Sequence, residues 1–225
     1  MNIGIDLDQT LLNFNKCEIE SLIQAFIEHK VLNSREDERL RQLLYTYEQV
    51  SSFHWRERGG KSALEVMQLS ISDSLKDYGL PFDGSLITKR YWELFCSSSY
   101  LEPGAVEVLD ALSQKHRLFC MTNGYSESQR SRLKAANLEH YFEEVFISEE
   151  LGLAKPNPKA LEVCLEKLGL NKEETIYIGD SLKNDYPAAK GAGIHFYFYN
   201  PNNIEVKEIE GLTQFSHLID LLDIL

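Results

Sequence analysis

A short apolar run ending in a carboxylate, followed at once by a long helical stretch, constrains this chain most. Residues 2–6, Asn2-Ile3-Gly4-Ile5-Asp6, read as a buried strand. From about residue 15 to about 98 the periodicity is helical, with almost no strand signal. Leu22, Ile23, Phe26 and Ile27 fall at helical spacing, as do Leu40, Leu43, Leu44 and Tyr47. Further helices are predicted over 61–78, stopped by Gly79 and Pro81, and over 83–97. Beyond Pro103-Gly104 the character changes again. Apolar runs at Leu118–Met121, Val145–Ile147, Thr175–Ile178 and Ile194–Tyr199 alternate with helix candidates at 104–115, 126–137, 157–168 and 183–191. Leu218–Leu222 reads as a core-covering helix.

Alternating strands and helices predict an α/β fold with a parallel sheet covered on both faces. Strands buried on both faces read as continuous apolar runs, as these do. The expected organisation is a discontinuous α/β core, 1–13 plus 99–225, with an all-helical insert over 14–98. A chain of 225 residues can bury such a core without covalent staples.

The formal charge of −12 is unevenly spread. Residues 13–99 hold 11 basic and 13 acidic side chains, and the rest hold 12 and 22, so the acidity belongs to the expected core. That balance argues against nucleic acid or an anionic membrane as main partner, since both require clustered positive charge. No run of 18 apolar residues occurs, and no signal-like segment precedes Asp6. A cytoplasmic protein, monomeric or weakly dimeric, is the expectation. Cys17, Cys96, Cys120 and Cys164 form no C-x-x-C pair and read as small buried hydrophobes of a reducing compartment.

Four polar features follow apolar runs, and the carboxyl ends of strands form the ligand edge of an open α/β sheet. The first is Asp6-Leu7-Asp8-Gln9-Thr10, with two carboxylates two residues apart. One can serve as nucleophile and the other as acid and base; a solvated turn is the bland alternative. The second, Thr122-Asn123-Gly124, places a hydroxyl and backbone amides before a helix, which suits an anion. The third is Lys155, held extended by Pro156 in Gly152-Leu153-Ala154-Lys155-Pro156-Asn157-Pro158. The fourth, Gly179-Asp180-Ser181-Leu182-Lys183-Asn184-Asp185, adds two carboxylates at a helix start, where Asp is also an ordinary cap. If all four converge, Asp6, Asp8, Asp180 and Asp185 crowd like charges together, which requires a cation. An oxygen-only ligand set favours Mg²⁺, shared between carboxylates and a substrate phosphate. Thr122 and Lys155 then supply donors and positive charge to that phosphate.

The order D-x-D-x-T, T-N-G, K-P and G-D-x-x-x-x-D resembles the haloacid dehalogenase (HAD) superfamily of aspartate-nucleophile hydrolases. The stretch from Thr122 to Pro156, with Gln129-Arg130, Arg132-Leu133, Tyr141-Phe142 and Ile147-Ser148-Glu149-Glu150, is similar, more loosely, to the pyrimidine 5′-nucleotidase branch. The resemblance implies a Rossmann-like three-layer core with a helical cap inserted after the first motif. It implies that Asp6 attacks phosphorus, and that Asp8 protonates the leaving alcohol and then activates water. Asp6, the Asp8 carbonyl and Asp180 would hold Mg²⁺, with Asp185 ligating or orienting. Thr122, Asn123 and Gly124 would bind phosphate, and Lys155 would brace it against Asp6. Asp8 argues for phosphate over carbon chemistry, because a dehalogenase lacks that second aspartate. Gln9 departs from the Gly common there, with slight effect expected if its side chain points away.

The implied activity is Mg²⁺-dependent hydrolysis of a small soluble phosphomonoester, such as a nucleoside 5′-monophosphate. Sugar phosphates, phosphoglycolate, a phosphomutase reaction and a non-catalytic binding protein are the alternatives. In the insert, Phe53-His54-Trp55-Arg56-Glu57-Arg58-Gly59-Gly60-Lys61 offers cations and aromatics suited to stacking on a base, or else forms a plain helix connector. Arg130 and Arg132 follow the phosphate loop, and a helix face exposed to water explains them equally well.

Overall fold

Strand β1 (Asn2–Ile5) is the axis of the molecule's sheet, and every one of its residues is buried. The structure, a computed structural model, describes the whole chain except Lys207, Glu208 and Glu210. After β1 come four helices, α1 (Phe14–Glu28), α2 (Leu40–Arg56), α3 (Ala63–Asp77) and α4 (Gly84–Ser97). The alternating part then runs α5 (Ala105–Ser113), β2 (Arg117–Thr122), α6 (Ser126–Ala135), β3 (Glu144–Ile147), α7 (Ser148–Leu151) and α8 (Lys159–Leu168). It ends with β4 (Thr175–Gly179), α9 (Asp185–Ala192), β5 (His195–Tyr199), β6 (Thr213–Phe215) and α10 (Leu221–Ile224).

The chain divides into two compact units, Met1–Phe14 with Ser99–Leu225, and Asn15–Ser98. In the first, six strands among the described residues form one sheet in the order β3-β2-β1-β4-β5-β6, with every neighbouring pair parallel. The chain winds outward from β1 through β2 to β3, then returns to β1's other side with β4. That reversal is the switch point at which open α/β sheets open a crevice beyond their strand ends.

Each sheet face buries its own apolar layer. Ile3, Ile5, Leu118, Cys120, Ile176 and Ile178 pack on one side with Leu109, Leu133 and Leu218. Phe119, Met121, Phe146, Tyr177 and Phe198 pack on the other with Leu161 and Ala188. Side chains alternate across a strand, so Gly4 faces the second layer. It is in register with Phe119 on β2 and Tyr177 on β4, and their rings occupy the space a Cβ would need.

The helical unit is built from amphipathic helices whose apolar stripes, including Leu22, Phe26, Leu43, Val66, Ile71 and Tyr91, are buried. Helix α3 starts at Ser62 with a reciprocal capping box to Glu65, and α4 starts at Asp83, which accepts from the Ser85 amide. Both caps satisfy amides that have no intrahelical partner. The 53–61 segment is the last turn of α2 and the turn after it, with Phe53 exposed and Gly59 at φ 56°. His54 pairs with Asp73 at 2.9 Å.

Some details depart from expectation. Strand β6 went unforeseen because Thr-Gln-Phe is too short and polar to register as an apolar run. The expected C-terminal helix is a 3₁₀ turn, Leu218–Asp220, running into α10, with Leu218 and Leu221 buried. Cys17, Cys120 and Cys164 are buried thiols, whereas Cys96 is half-buried, and none of the four is in a disulfide. Among the described residues no helix is long and apolar enough to cross a membrane.

Gly4→Ala forces a methyl group between two aromatic rings in a packed layer. Overpacking of this kind costs about 1–3 kcal/mol. A lowered urea unfolding midpoint is expected, and an unchanged midpoint contradicts the packing argument.

Candidate active site

The polar ends of β1, β2 and β4 meet at one edge of the sheet because these three strands are neighbours. The Asp6 amide donates to the Ile178 carbonyl at 2.9 Å, which extends the β1–β4 ladder and fixes where Asp6 leaves the sheet. The chain then turns tightly. Thr10, Leu11 and Leu12 all direct their amides at the Leu7 carbonyl, and Gln9 takes φ 60°. This left-handed backbone is uncommon for a residue other than Gly. The departure at Gln9 is therefore a backbone matter and not one of where the side chain points.

Lys155 lies at the centre, 3% exposed. Its Nζ is 2.7 Å from Asp6 Oδ1, 2.7 Å from Asp185 Oδ1 and 2.9 Å from the Tyr177 hydroxyl. Two carboxylate oxygens and a hydroxyl thus surround the ammonium. Tyr177 passes its own proton to the Met121 carbonyl at 2.6 Å. The Lys155 backbone is held by Asn123, whose amide donates to the Lys155 carbonyl at 2.8 Å and accepts from the Lys155 N–H at 2.9 Å. The following Lys155–Pro156 peptide is cis. Burial alone would push the ammonium's pKa down, but Asp185 and Asp6 more than offset this and hold it above the ordinary lysine value.

Carboxylate oxygens of Asp6, Asp180 and Asp185 all lie within 4.8 Å of one another. Burial raises Asp6 well above the usual carboxylate range; Lys155 opposes the shift and Asp185 adds to it. Asp180 is pushed up to about 6, first by burial and then by Asp185. Asp185, fully buried, also accepts from the Ser181 amide at 2.9 Å. Three carboxylates against one ammonium leave two negative charges uncompensated if all are ionised. A hard divalent cation matches that deficit and an all-oxygen donor set, so the residues present fit Mg²⁺.

Asp8 faces elsewhere. Its Oδ1 is 2.5 Å from Arg132 Nη2, and its Oδ2 accepts from Gln129 Nε2 at 2.8 Å. Its carboxylate is absent from the metal-capable group, so only its backbone carbonyl remains for the role foreseen there. Thr122 is fully buried at the end of β2 and accepts from the same Gln129 nitrogen at 2.9 Å. The Gly124 amide donates to Ser148 Oγ at 3.0 Å. A side chain at 124 would instead strike Gln129.

Gln129 carries no site signal of its own in the sequence, and Arg132 reads there equally well as a water-facing residue. They stand three apart, on one face of α6, and Gln129, Arg132 and Leu133 are all buried. Arg130 points away and makes an exposed two-pronged pair with Glu150. The Gln-x-x-Arg spacing ahead of a buried Leu was the available signal. It was obscured because α6 otherwise reads as a polar surface helix.

A sequence model of the haloacid dehalogenase-like hydrolases matches residues 3–199. The chain belongs to that family. The pyrimidine 5′-nucleotidase PynA of Streptococcus pneumoniae is 30% identical, over 97% of this chain and 93% of its own. The pyrimidine 5′-nucleotidase YjjG of Escherichia coli is 27% identical, over 92% and 88%. The magnesium-bound crystal structure of the HAD-hydrolase YfnB from Bacillus subtilis superposes with a TM-score of 0.82 at 29% identity, covering 99% of this chain and 97% of that one. This HAD hydrolase has relatives named as phosphatases and nucleotidases.

A carboxyl whose pKa is higher folded than unfolded stabilises the fold only while protonated. Asp180's contribution is full below about pH 4, near the ordinary carboxylate value. It is lost as pH rises through about 6. In chelator, Asp180→Asn is expected to be more stable than the parent at pH 7.5 by about 1–3 kcal/mol, an advantage that fades by pH 4. Urea unfolding at both pH values measures this, and equal stability at pH 7.5 contradicts the shift.

Proposed function

We propose that this HAD hydrolase is a Mg²⁺-dependent phosphomonoester hydrolase that works through a phosphoryl group carried on Asp6. The carrying observation is the Lys155 ammonium set between Asp6 and Asp185, with Asp180 within reach and Thr122 on the adjacent strand end. Phosphoryl transfer needs mainly positioning and charge stabilisation, and this edge offers both. In this reading residues 1–13 with 99–225 form the catalytic core, and 14–98 form the cap.

Asp6 attacks phosphorus in line with the leaving oxygen and becomes an acyl phosphate. Asp8 gives its proton to that oxygen, then takes one from the water that attacks the Asp6 phosphoryl group. Thr122 and the Asn123 amide hold the phosphate oxygens, and Lys155 neutralises charge on Asp6 and phosphate together. Mg²⁺, held by Asp6, the Asp8 carbonyl and Asp180 with Asp185 behind them, would supply charge neutralisation to a phosphate oxygen. The overall acidity of the chain therefore does not exclude an anionic substrate, because Lys155 together with a bound Mg²⁺ would offset the local carboxylates.

A nucleoside 5′-monophosphate is the proposed substrate class. Support comes from the two nucleotidases above, each matched over more than nine-tenths of this chain. The cytoplasm is its proposed location.

Asp6→Asn is expected to lower Mg²⁺-dependent phosphate release from 4-nitrophenyl phosphate by at least about 10³-fold, the scale of losing a nucleophile. Retained activity contradicts the nucleophile assignment. In a panel of nucleotides, sugar phosphates and phosphoglycolate, nucleoside 5′-monophosphates are expected to show the highest kcat/KM. Preference for any other class overturns the substrate reading alone.

A further inference from the structure

Among the described residues Arg132 is the largest fully buried side chain, and the chemistry above assigns it no task. Its guanidinium lies over the Phe14 ring, and its Nη2 is 2.5 Å from both Asp8 Oδ1 and Gln129 Oε1. A guanidinium can only donate. The amide oxygen of Gln129 must therefore face Arg132, which turns Nε2 the opposite way. That nitrogen reaches Asp8 Oδ2 at 2.8 Å, Thr122 Oγ1 at 2.9 Å and the Asn123 carbonyl at 3.2 Å.

Two consequences follow from the direction of these bonds. Both oxygens of Asp8 are gripped, so its carboxylate plane is defined. Thr122 Oγ1 accepts from Gln129, so its own proton is left to point elsewhere, which is what a phosphate-binding hydroxyl needs. Gly124 contributes by leaving the space that Gln129 fills. Stability alone does not account for the pair, because a buried ion pair is often no better than apolar packing of the same volume.

We propose that Arg132, directly and through Gln129, is a positioning residue that aims the Asp8 carboxyl at the leaving oxygen and the Thr122 hydroxyl at the phosphate. This rests on the roles given above to Asp6 and Asp8. Loss of the brace weakens proton delivery to the leaving group, so the penalty grows as the leaving oxygen becomes more basic.

The test compares kcat/KM for 4-nitrophenyl phosphate and phenyl phosphate with Mg²⁺, in wild type, Gln129→Glu, Arg132→Met, Arg132→Lys and Asp6→Asn. Gln129→Glu keeps the side-chain size and a partner for Arg132, but cannot donate to Asp8 or Thr122. It is expected to lose about 10-fold on 4-nitrophenyl phosphate and about 10²–10³-fold on phenyl phosphate, within the range of general acid catalysis. Arg132→Lys is expected to recover part of what Arg132→Met loses. Equal loss on both substrates, or no loss, with Asp6→Asn inactive, overturns the positioning role and leaves the nucleophile reading standing. Activity retained by Asp6→Asn removes the ground for both.

Discussion

One buried ammonium orders the catalytic edge of this protein. Lys155 stands between Asp6 and Asp185, with Tyr177 as its third contact, and each partner comes from a different part of the chain. Asp6 ends the first strand, Asp185 opens the helix after the fourth, and Tyr177 lies inside that fourth strand. A lysine so placed is tolerable only because carboxylates surround it, and buried carboxylates are tolerable only because it is there. Gly4 belongs to the same constraint: Tyr177 reaches its position over the central strand because residue 4 has no side chain. The Asn123 side chain completes the arrangement by gripping the Lys155 backbone from the neighbouring strand end.

The second constraint is the separation of carboxylates by partner. Asp6 and Asp185 share one ammonium, and with Asp180 beside them the group is left with excess negative charge. Asp8, two residues beyond Asp6, has a guanidinium of its own. Groups of one chemical type are thereby given different environments, which is how a site obtains different duties from identical side chains. In the proposed mechanism one environment serves attack and cation binding, and the other serves proton transfer.

Much of the fold was legible because its signals are local. Continuous apolar runs at 118–121, 145–147 and 175–178 mark strands buried on both faces, and each ends in the polar residues that define the edge. The order of strands was not legible, since neighbourhood in a sheet is a long-range property. Only the structure shows β2, β1 and β4 side by side. At the site, Asp6, Thr122, Lys155 and Asp185 stand out because they follow strand ends or restrained loops. Arg132 and Gln129 were obscured by their setting in a polar helix, where a buried face looks like a solvated one until its partners are known. The Gly124 amide's bond to Ser148, 24 residues away, is likewise a long-range contact. Gln9's left-handed backbone comes from the turn closing on Leu7, and nothing in its own residue type announces it.

The central claim is that the Asp6 carboxylate receives the phosphoryl group. Acid quenching during turnover of 4-nitrophenyl phosphate with Mg²⁺, then borohydride reduction and peptide mass spectrometry, tests it most directly, because an acyl phosphate reduces to homoserine. The account predicts homoserine at position 6, dependent on substrate and absent without it. Substrate-dependent modification at another residue, or turnover with no trapped carboxyl group, would contradict it.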